Sequence, residues 1–500
     1  MSDIQVPQRK QKDLQAKTST LAITGAKWVA IGSLSQKSIQ MLLVVFLARL
    51  LSPEDFGLIA VASLMLILAG RVKQLGLHGA LVQRKEDLEE AANAYFFLNI
   101  GLAVLTFGLV LAVSPLAAWF FNDNRVALII NVMALRVLAE AAGAVQRSLT
   151  VRALDFRRQT FVLLAETIVT AGVAVFLAVR GLGVWALVYG MVVGGVFAAV
   201  LWWVTTPWHP TRAWSWTVAR QMLWFGIGLW SASNLSYLIE SASRIFVGRF
   251  LGVLPLGYYE FTNRVVHGPT SSLIETSNRV ALPAFCREQE NLGQLGEWYL
   301  KMTGFVCLLT APVAAALLLL GDLIIPVIFG PQWVSTIPLV RALAPFVFMT
   351  PLVFAWPVYV STGRADVLTR FTALRFLITV PLLLVAAQES LLAVCVVESL
   401  TACILAPVNL YLVTRQISIR SSDLLRTLGQ PLIGSGVFAV VVLALRVLGR
   451  SWFSAPTALS LAVYLLPGLL AYFVAVSLMQ PQLFSELRQL IIIALGRHRA

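Results

Sequence analysis

Apolar runs long enough to cross a bilayer recur along this chain, and nothing else narrows its fold so far. A helix needs about 20 mostly apolar residues to span hydrocarbon, where each backbone polar group must be satisfied inside the segment or within protein. About fourteen such runs can be drawn, at roughly 23–47, 56–81, 93–119, 126–149, 159–179, 183–205, 221–248, 256–282, 299–320, 336–361, 367–387, 390–413, 427–446 and 458–479. Only 12% of the 500 residues are charged and 58% are hydrophobic, against about 25% charged in a soluble domain. A membrane barrel would show alternating segments of about ten residues, and none is found in the sequence. The expected fold is an all-α polytopic membrane protein.

An internal echo orders these spans. Phe46-Leu-Ala-Arg-Leu-Leu-Ser-Pro-Glu-Asp-Phe-Gly57 is answered by Phe246-Val-Gly-Arg-Phe-Leu-Gly-Val-Leu-Pro-Leu-Gly257, with Phe, Arg, Leu and Gly recurring at 46/246, 49/249, 51/251 and 57/257. Six spans separate the copies and return the chain to the same membrane face, so the repeats are expected to be parallel, with residue 49 superposing near residue 249. The organisation that follows is a basic tail (1–22), a six-helix lobe (23–210), a second six-helix lobe (211–415), and two further helices with a tail (416–500). Pro207 and Pro210 mark the link between lobes. Trp202, Trp203, Trp208, Trp214 and Trp216 flank that link and are assigned to the headgroup layer that tryptophan favours.

The net charge of +14 does not indicate nucleic acid, because the cations sit in short loops between spans. With the N-terminus inside, 25 of the 38 Lys and Arg fall in inside segments and six in outside loops. That bias places both termini in the cytoplasm. The long first apolar run reads as an uncleaved span rather than a signal peptide. Cys286, Cys307, Cys395 and Cys403 lack metal-site spacing and read as small packing residues. No loop is long enough for a soluble catalytic domain. The sequence holds no GxxxxGK[ST], HExxH or GxSxG pattern, so neither catalysis nor a cofactor or metal is expected.

Among the basic residues within the predicted spans are Lys27, Lys37, Arg136, Arg244, Arg264, Arg341 and Arg375. Glu140, Glu166, Glu240, Glu260, Glu275 and Glu398 are the acids there. Such groups normally face a bundle interior or a watery cavity. Glu240/Arg244, Glu260/Arg264, Glu275/Arg279 and Arg136/Glu140 are spaced four apart, on one helix face, which suits mutual neutralisation as well as a binding role. Lys27 and Lys37 share the first span with no acid, and need one from another helix, an anionic ligand or water; Lys27 can also snorkel to the interface. Polar side chains concentrate in spans one, seven and eight, among them Asn234, Asn263, His267, Thr270 and Ser271. They fit either helix–helix hydrogen bonding or a polar cleft between lobes. The candidate substrate-binding set is Lys27, Lys37, Asn234, Glu240, Arg244, Glu260, Asn263, Arg264 and Arg341. His267 reads as a cavity or packing residue.

Leu47–Leu58 resembles the signature that follows the first span in the polysaccharide transporter family, the Wzx-type oligosaccharide flippases. Leu75-Gly-Leu77 with Ala80–Arg84, Arg152–Arg157, Gly183–Leu187 and Phe246–Tyr259 extend the likeness over residues 20–430. The resemblance implies membership of the multidrug/oligosaccharidyl-lipid/polysaccharide exporter superfamily, two six-helix lobes and alternating access. It further implies a bacterial inner-membrane flippase for an undecaprenyl-diphosphate-linked oligosaccharide, serving exopolysaccharide, capsule or O-antigen assembly beside membrane lipids, a polysaccharide polymerase and export machinery. Gln74 departs from the family, where many members carry an acid. A drug or organic-cation antiporter of the same superfamily is the alternative, disfavoured by two lysines and no acid in the first span. A glycan polymerase or ligase would want catalytic carboxylates or a large outer loop, and a scaffold would not need buried cations. The cationic-cleft reading expects Lys37→Ala to impair transport more than Arg264→Ala, since Arg264 has Glu260 one turn away.

Overall fold

A computed structural model of the chain describes residues 8–73, 77–84, 87–211, 215–353, 355–417, 419–449 and 455–479. The side chains of 8–27, 223–236 and a few isolated helical positions are not among those described. The described residues form helices and turns, without a strand. They fall into two compact units, Met1–Tyr237 and Leu238–Ala500.

The first unit comprises α1 (Gln8–Leu50), α2 (Pro53–Lys73), α3 (Leu77–Gln83), α4 (Leu88–Phe121), α5 (Arg125–Ala142), α6 (Ala144–Arg152), α7 (Phe156–Val179), α8 (Val184–Thr205) and most of α9 (Trp216–Phe246). The Ser-Pro-Glu-Asp of the repeated stretch builds the start of α2. Ser52 donates both its backbone N–H and its hydroxyl to Asp55 Oδ2, at 2.9 and 2.8 Å, and Asp55 N–H donates back to Ser52 Oγ at 3.2 Å. This reciprocal cap satisfies amides that the first helical turn leaves open, with Pro53 at the one position where its missing N–H costs nothing. Arg125, at the turn between α4 and α5, pairs with Glu54 and with Asp123. The Arg125 hydrogen bond holds the Asp123 carboxyl below the usual carboxylate range. Close approach of α7 and α8 depends on small residues: a Cβ on Gly190 would stand 2.9 Å from the Thr170 carbonyl oxygen. Arg136 joins Glu140 at 2.8 Å, as its spacing predicts, and also Glu166 of α7 at 3.1 Å.

The tryptophans near 202–208 pack against neighbouring helices. Trp202 is 4% exposed. Trp203 donates its indole N–H to the Ala142 carbonyl at 2.9 Å, and Phe96 meets the rings of both Trp203 and Trp208 edge-on. Packing claims these rings because Asn93, by two hydrogen bonds to Thr211, holds the link over the ends of α4 and α8. Trp216 is exposed, and Trp214 lies outside the described residues.

The second unit takes the end of α9, α10 (Val253–Arg287), α11 (Leu292–Ile324), α12 (Ile337–Val353), α13 (Trp356–Ser361), α14 (Ala365–Glu389), α15 (Leu391–Ile417), α16 (Ser421–Leu448) and α17 (Ala458–Met479). The echo of the repeated stretch uses different chemistry. A widened turn at Val247–Leu251 ends on Gly252, whose φ of 96° suits glycine alone without strain, and α10 begins at the next residue. The last two helices pack on α11: Tyr472, fully buried, donates to the Leu308 carbonyl at 2.7 Å. At one end of α11, Asp322 accepts from Arg341 at 3.0 Å and from Arg446 of α16 at 2.5 Å.

Eleven described helices are long and apolar enough to span a membrane, twelve if α5 and α6, bent by 42°, count as one span. α9 and α10, at 31 and 35 residues, are long enough but are not among them. Their polarity is the reason, and both line the cavity described below.

Candidate functional site

The second unit holds a partly open cavity of about 620 Å³. The sequence spacing of α10 explains how. Glu260, Asn263, Arg264, His267, Thr270, Ser271 and Ile274 recur at three- and four-residue intervals and so share one helix face. The same interval puts Glu240 and Arg244 of α9 on the lining, along with Arg375 and Thr379 of α14 and Glu398 and Thr401 of α15. Phe346 and Thr350 of α12 contribute the neutral part.

Three arginines and three glutamates thus face one space, and their pairing is mostly between helices. Arg244 Nε donates to Glu260 Oε2 at 2.8 Å, with the two side chains 31% and 12% exposed. Toward its predicted partner Glu240, Arg244 reaches the backbone carbonyl, at 3.5 Å. Arg264 stands 3.8 Å from the other oxygen of Glu260 and is 38% exposed, a looser contact than the one Arg244 makes. Tyr259 donates its hydroxyl to Glu398 Oε1 at 2.5 Å, and the Ser243 hydroxyl donates to the same oxygen. The His267 ring meets Phe346 edge-on at 4.7 Å. Arg375 has no hydrogen bond or ion pair among the described residues, while Glu240 and Glu398 act on it through space.

Glu240, Arg244, Glu260, Asn263 and Arg264 line this one cavity. Arg341 stands apart, on Asp322. Lys37 lies half-buried on α1 in the first unit, where Gln36 donates to Thr167 at 3.1 Å. The side chains of Lys27 and Asn234, and all of Gln74, lie outside the described residues. Arg375, Glu398 and Tyr259 were not among the expected site residues. The available signal was a charge in mid-span with no opposite charge four residues away, which holds for Arg375 and Glu398.

Chemically, the lining offers guanidinium forks suited to phosphate or carboxylate oxygens, amide and hydroxyl groups suited to neutral polar ligands, and carboxylates that can exchange protons. Among the described residues no group of three or more His, Cys, Asp and Glu is placed to hold a metal.

The architecture is that of known lipid and drug transporters. A structure of the lipid II flippase MurJ in an inward closed conformation superposes with a TM-score of 0.74, at 12% identity over 91% of this chain and 99% of the other. An inward-facing multidrug resistance transporter of the MATE family gives 0.62, at 14% identity over 78% of this chain and 98% of the other. Fold and helix content define a polytopic helical membrane protein with the MurJ and MATE fold. Residues 46–338 match the family described as polysaccharide biosynthesis protein, and the chain belongs to that family. Relatives include the teichuronic acid biosynthesis protein TuaB of Bacillus subtilis, 23% identical over 93% of this chain and 97% of its own length. The succinoglycan biosynthesis transport protein ExoT of Rhizobium meliloti is 24% identical over 75% and 77%. The lipopolysaccharide biosynthesis protein WzxC of Escherichia coli is 24% identical over 73% and 75%.

Proposed function

We propose that this protein is a flippase for a polyprenyl-diphosphate-linked oligosaccharide, moving the repeat unit from the cytoplasmic to the outer leaflet of the bacterial inner membrane. The observation that carries the reading is the charged cavity of the second unit, with Arg375 in no ion pair among the described residues, in a chain of the polysaccharide biosynthesis family with the MurJ fold. Guanidinium groups in a hydrated pocket lower the cost of carrying a diphosphate across hydrocarbon, while the polyprenyl tail remains in lipid. The hydroxyl and amide groups beside them suit a sugar. Two lobes, 23–210 and 211–415, would alternate the access of the headgroup to the two faces, and the product would pass to a polymerase outside. The protein makes and breaks no covalent bond in this scheme. The 25-to-6 split of loop cations supports cytoplasmic termini.

A deletion strain should accumulate a lipid-linked glycan on the cytoplasmic side, and purified protein in proteoliposomes should restore its transfer. A deletion that leaves the polysaccharide intact, with no accumulated intermediate, would remove the reading. A reporter fused at residue 500 should be active only in its cytoplasmic form. The cation-antiporter alternative draws on Glu240, Glu260 and Glu398, but three arginines in the same lining cancel the acidic field it needs.

A further inference from the structure

We propose that Arg375 is the guanidinium that an entering phosphate or diphosphate takes over from Glu240 and Glu398, so that anion binding in this cavity draws a proton onto Glu398. The inference rests on the reading of the cavity as a headgroup site and adds to it a proton linked to the anion.

The pairing in the cavity singles out Arg375. Arg244 is committed to Glu260 at 2.8 Å, and Arg264 shares that carboxylate at 3.8 Å. An anion reaching either must compete with a carboxylate already within ion-pair distance. Arg375, on α14, has no such contact among the described residues; what compensates it is the through-space field of Glu240 and Glu398. A phosphate oxygen can therefore bind both arms of its fork without displacing a bonded partner.

The acids that lose Arg375 then differ. Glu240 is exposed, so water replaces the lost compensation. Glu398 is half-buried among hydroxyls. Ser243 and Tyr259 both donate to its Oε1, so Oε2 can take a proton without breaking either bond. The proton comes from bulk solvent, one O–H bond forms, and no other bond changes. Around Glu398, α9 presents Glu240 and Arg244, and α14 presents Arg375. From α10 come Tyr259, Glu260, Arg264 and His267; on α15 itself Cys395 lies one turn before. Lining residues Phe346 and Thr350 of α12 bring no charge. Arg244 also acts on Glu398, but it and Arg264 are held by Glu260 and stay in place, which leaves Arg375 as the cation beside Glu398 that an entering anion can draw away. A second negative charge in the same low-dielectric space raises the demand for a proton further.

The test is isothermal titration calorimetry on the full chain in detergent at about pH 7, with inorganic pyrophosphate, farnesyl diphosphate and neutral farnesol as probes, each in two buffers of different ionisation heat. Proton uptake is read as the difference between wild type and Glu398→Gln, which cancels ionisation of the probe itself. The expected result is uptake of a substantial fraction of a proton in wild type and in Glu240→Gln, and none in Glu398→Gln, which still binds both diphosphates. Arg375→Gln should weaken both diphosphates about tenfold or more and abolish the uptake, while Arg375→Lys should keep the uptake at reduced affinity. Retention of uptake by the lysine variant shows that the glutamine variant lost a charge and not its fold. Equal proton counts in wild type and Glu398→Gln, unchanged affinity in Arg375→Gln, or farnesol binding as well as farnesyl diphosphate would each overturn the inference. Glycan transfer by the same variants in the deletion strain is scored separately. Linked proton uptake without transfer retains this inference and removes the flippase reading; transfer without linkage does the reverse.

Discussion

Replacing Glu260 by Gln isolates the pairing on which the cavity rests. The carboxylate is 12% exposed and lies 2.8 Å from Arg244 and 3.8 Å from Arg264. Removing one member of a buried ion pair costs about 3–5 kcal/mol, because the remaining charge stays desolvated. Arg244 is 31% exposed to the cavity, so water recovers part of that, and about 2 kcal/mol remains after the discount for screening. At about 2–4 °C per kcal/mol for a domain of this size, the unfolding midpoint should fall by about 4–8 °C. Arg264→Gln breaks only the longer, more exposed contact and should cost less than about 1 kcal/mol. The double variant Arg244→Gln/Glu260→Gln should recover part of the loss, since it strands no charge. The buried thiols of Cys307 and Cys395 supply the assay: a maleimide dye that fluoresces on reaction reports their exposure as purified protein is heated in detergent. An unchanged midpoint for Glu260→Gln, or a larger fall for Arg264→Gln, would refute the argument that Glu260 is the shared anchor of the two arginines.

Ser52→Ala should destabilise the start of α2 by about 1 kcal/mol through loss of the reciprocal cap with Asp55, seen as faster hydrogen exchange in the first turn of α2. Gly190→Leu should cost about 1–3 kcal/mol, because the new side chain meets the Thr170 carbonyl oxygen at 2.9 Å and α7 must move; a thermal midpoint equal to wild type would exclude this packing. Asp322→Asn removes the carboxylate that Arg341 and Arg446 share and should increase proteolysis between α16 and α17. Asp123, whose folded-state pKa lies below its unfolded value through its bond to Arg125, contributes stability at pH values above about 4 that is lost as pH falls through the folded pKa. The midpoint gap between wild type and Asp123→Asn should therefore close on acidification.

Helices were legible because the signals that specify them are local. The apolar runs and the Ser-Pro-Glu-Asp cap each lie within a few residues, and α10 displayed its cavity-lining face as a three- and four-residue polar rhythm from Glu260 to Ser271. Pairing across helices was not legible. Spacing alone offers Arg244 to Glu240, yet the fold gives it to Glu260, whose helix approaches from the other side of a turn at Gly252. Arg341 looked like Arg264 in sequence, a cation in an apolar run, and differs only because the end of α11 places Asp322 beside it. Arg375 and Glu398, 23 positions apart on two helices, announce no partnership until α14 and α15 pack together. The ring contacts of Trp203 and Trp208 with Phe96 were not legible either, because they too are set by neighbours distant in sequence.

The polarity of α9 and α10 carries the last step. A central Arg costs a membrane helix about 2.5–3.5 kcal/mol on insertion scales, so the three arginines of the cavity represent a load of about 8–10 kcal/mol if left in hydrocarbon. The pairing of Arg244 with Glu260 offsets part of it, and the exposure of Arg264 to the cavity offsets another. Arg375 has neither a bonded carboxylate among the described residues nor full exposure, so its charge is tolerable only where water reaches the cavity. A wet cavity changes the energetics of the ligand too. An anionic headgroup entering it exchanges one set of hydrogen bonds for another instead of shedding its hydration into hydrocarbon, and the guanidinium that water was solvating becomes its partner. On the proposed reading, the groups that make α9 and α10 poor membrane helices are also groups that would let a charged headgroup enter the cavity, which α9, α10, α14 and α15 line together.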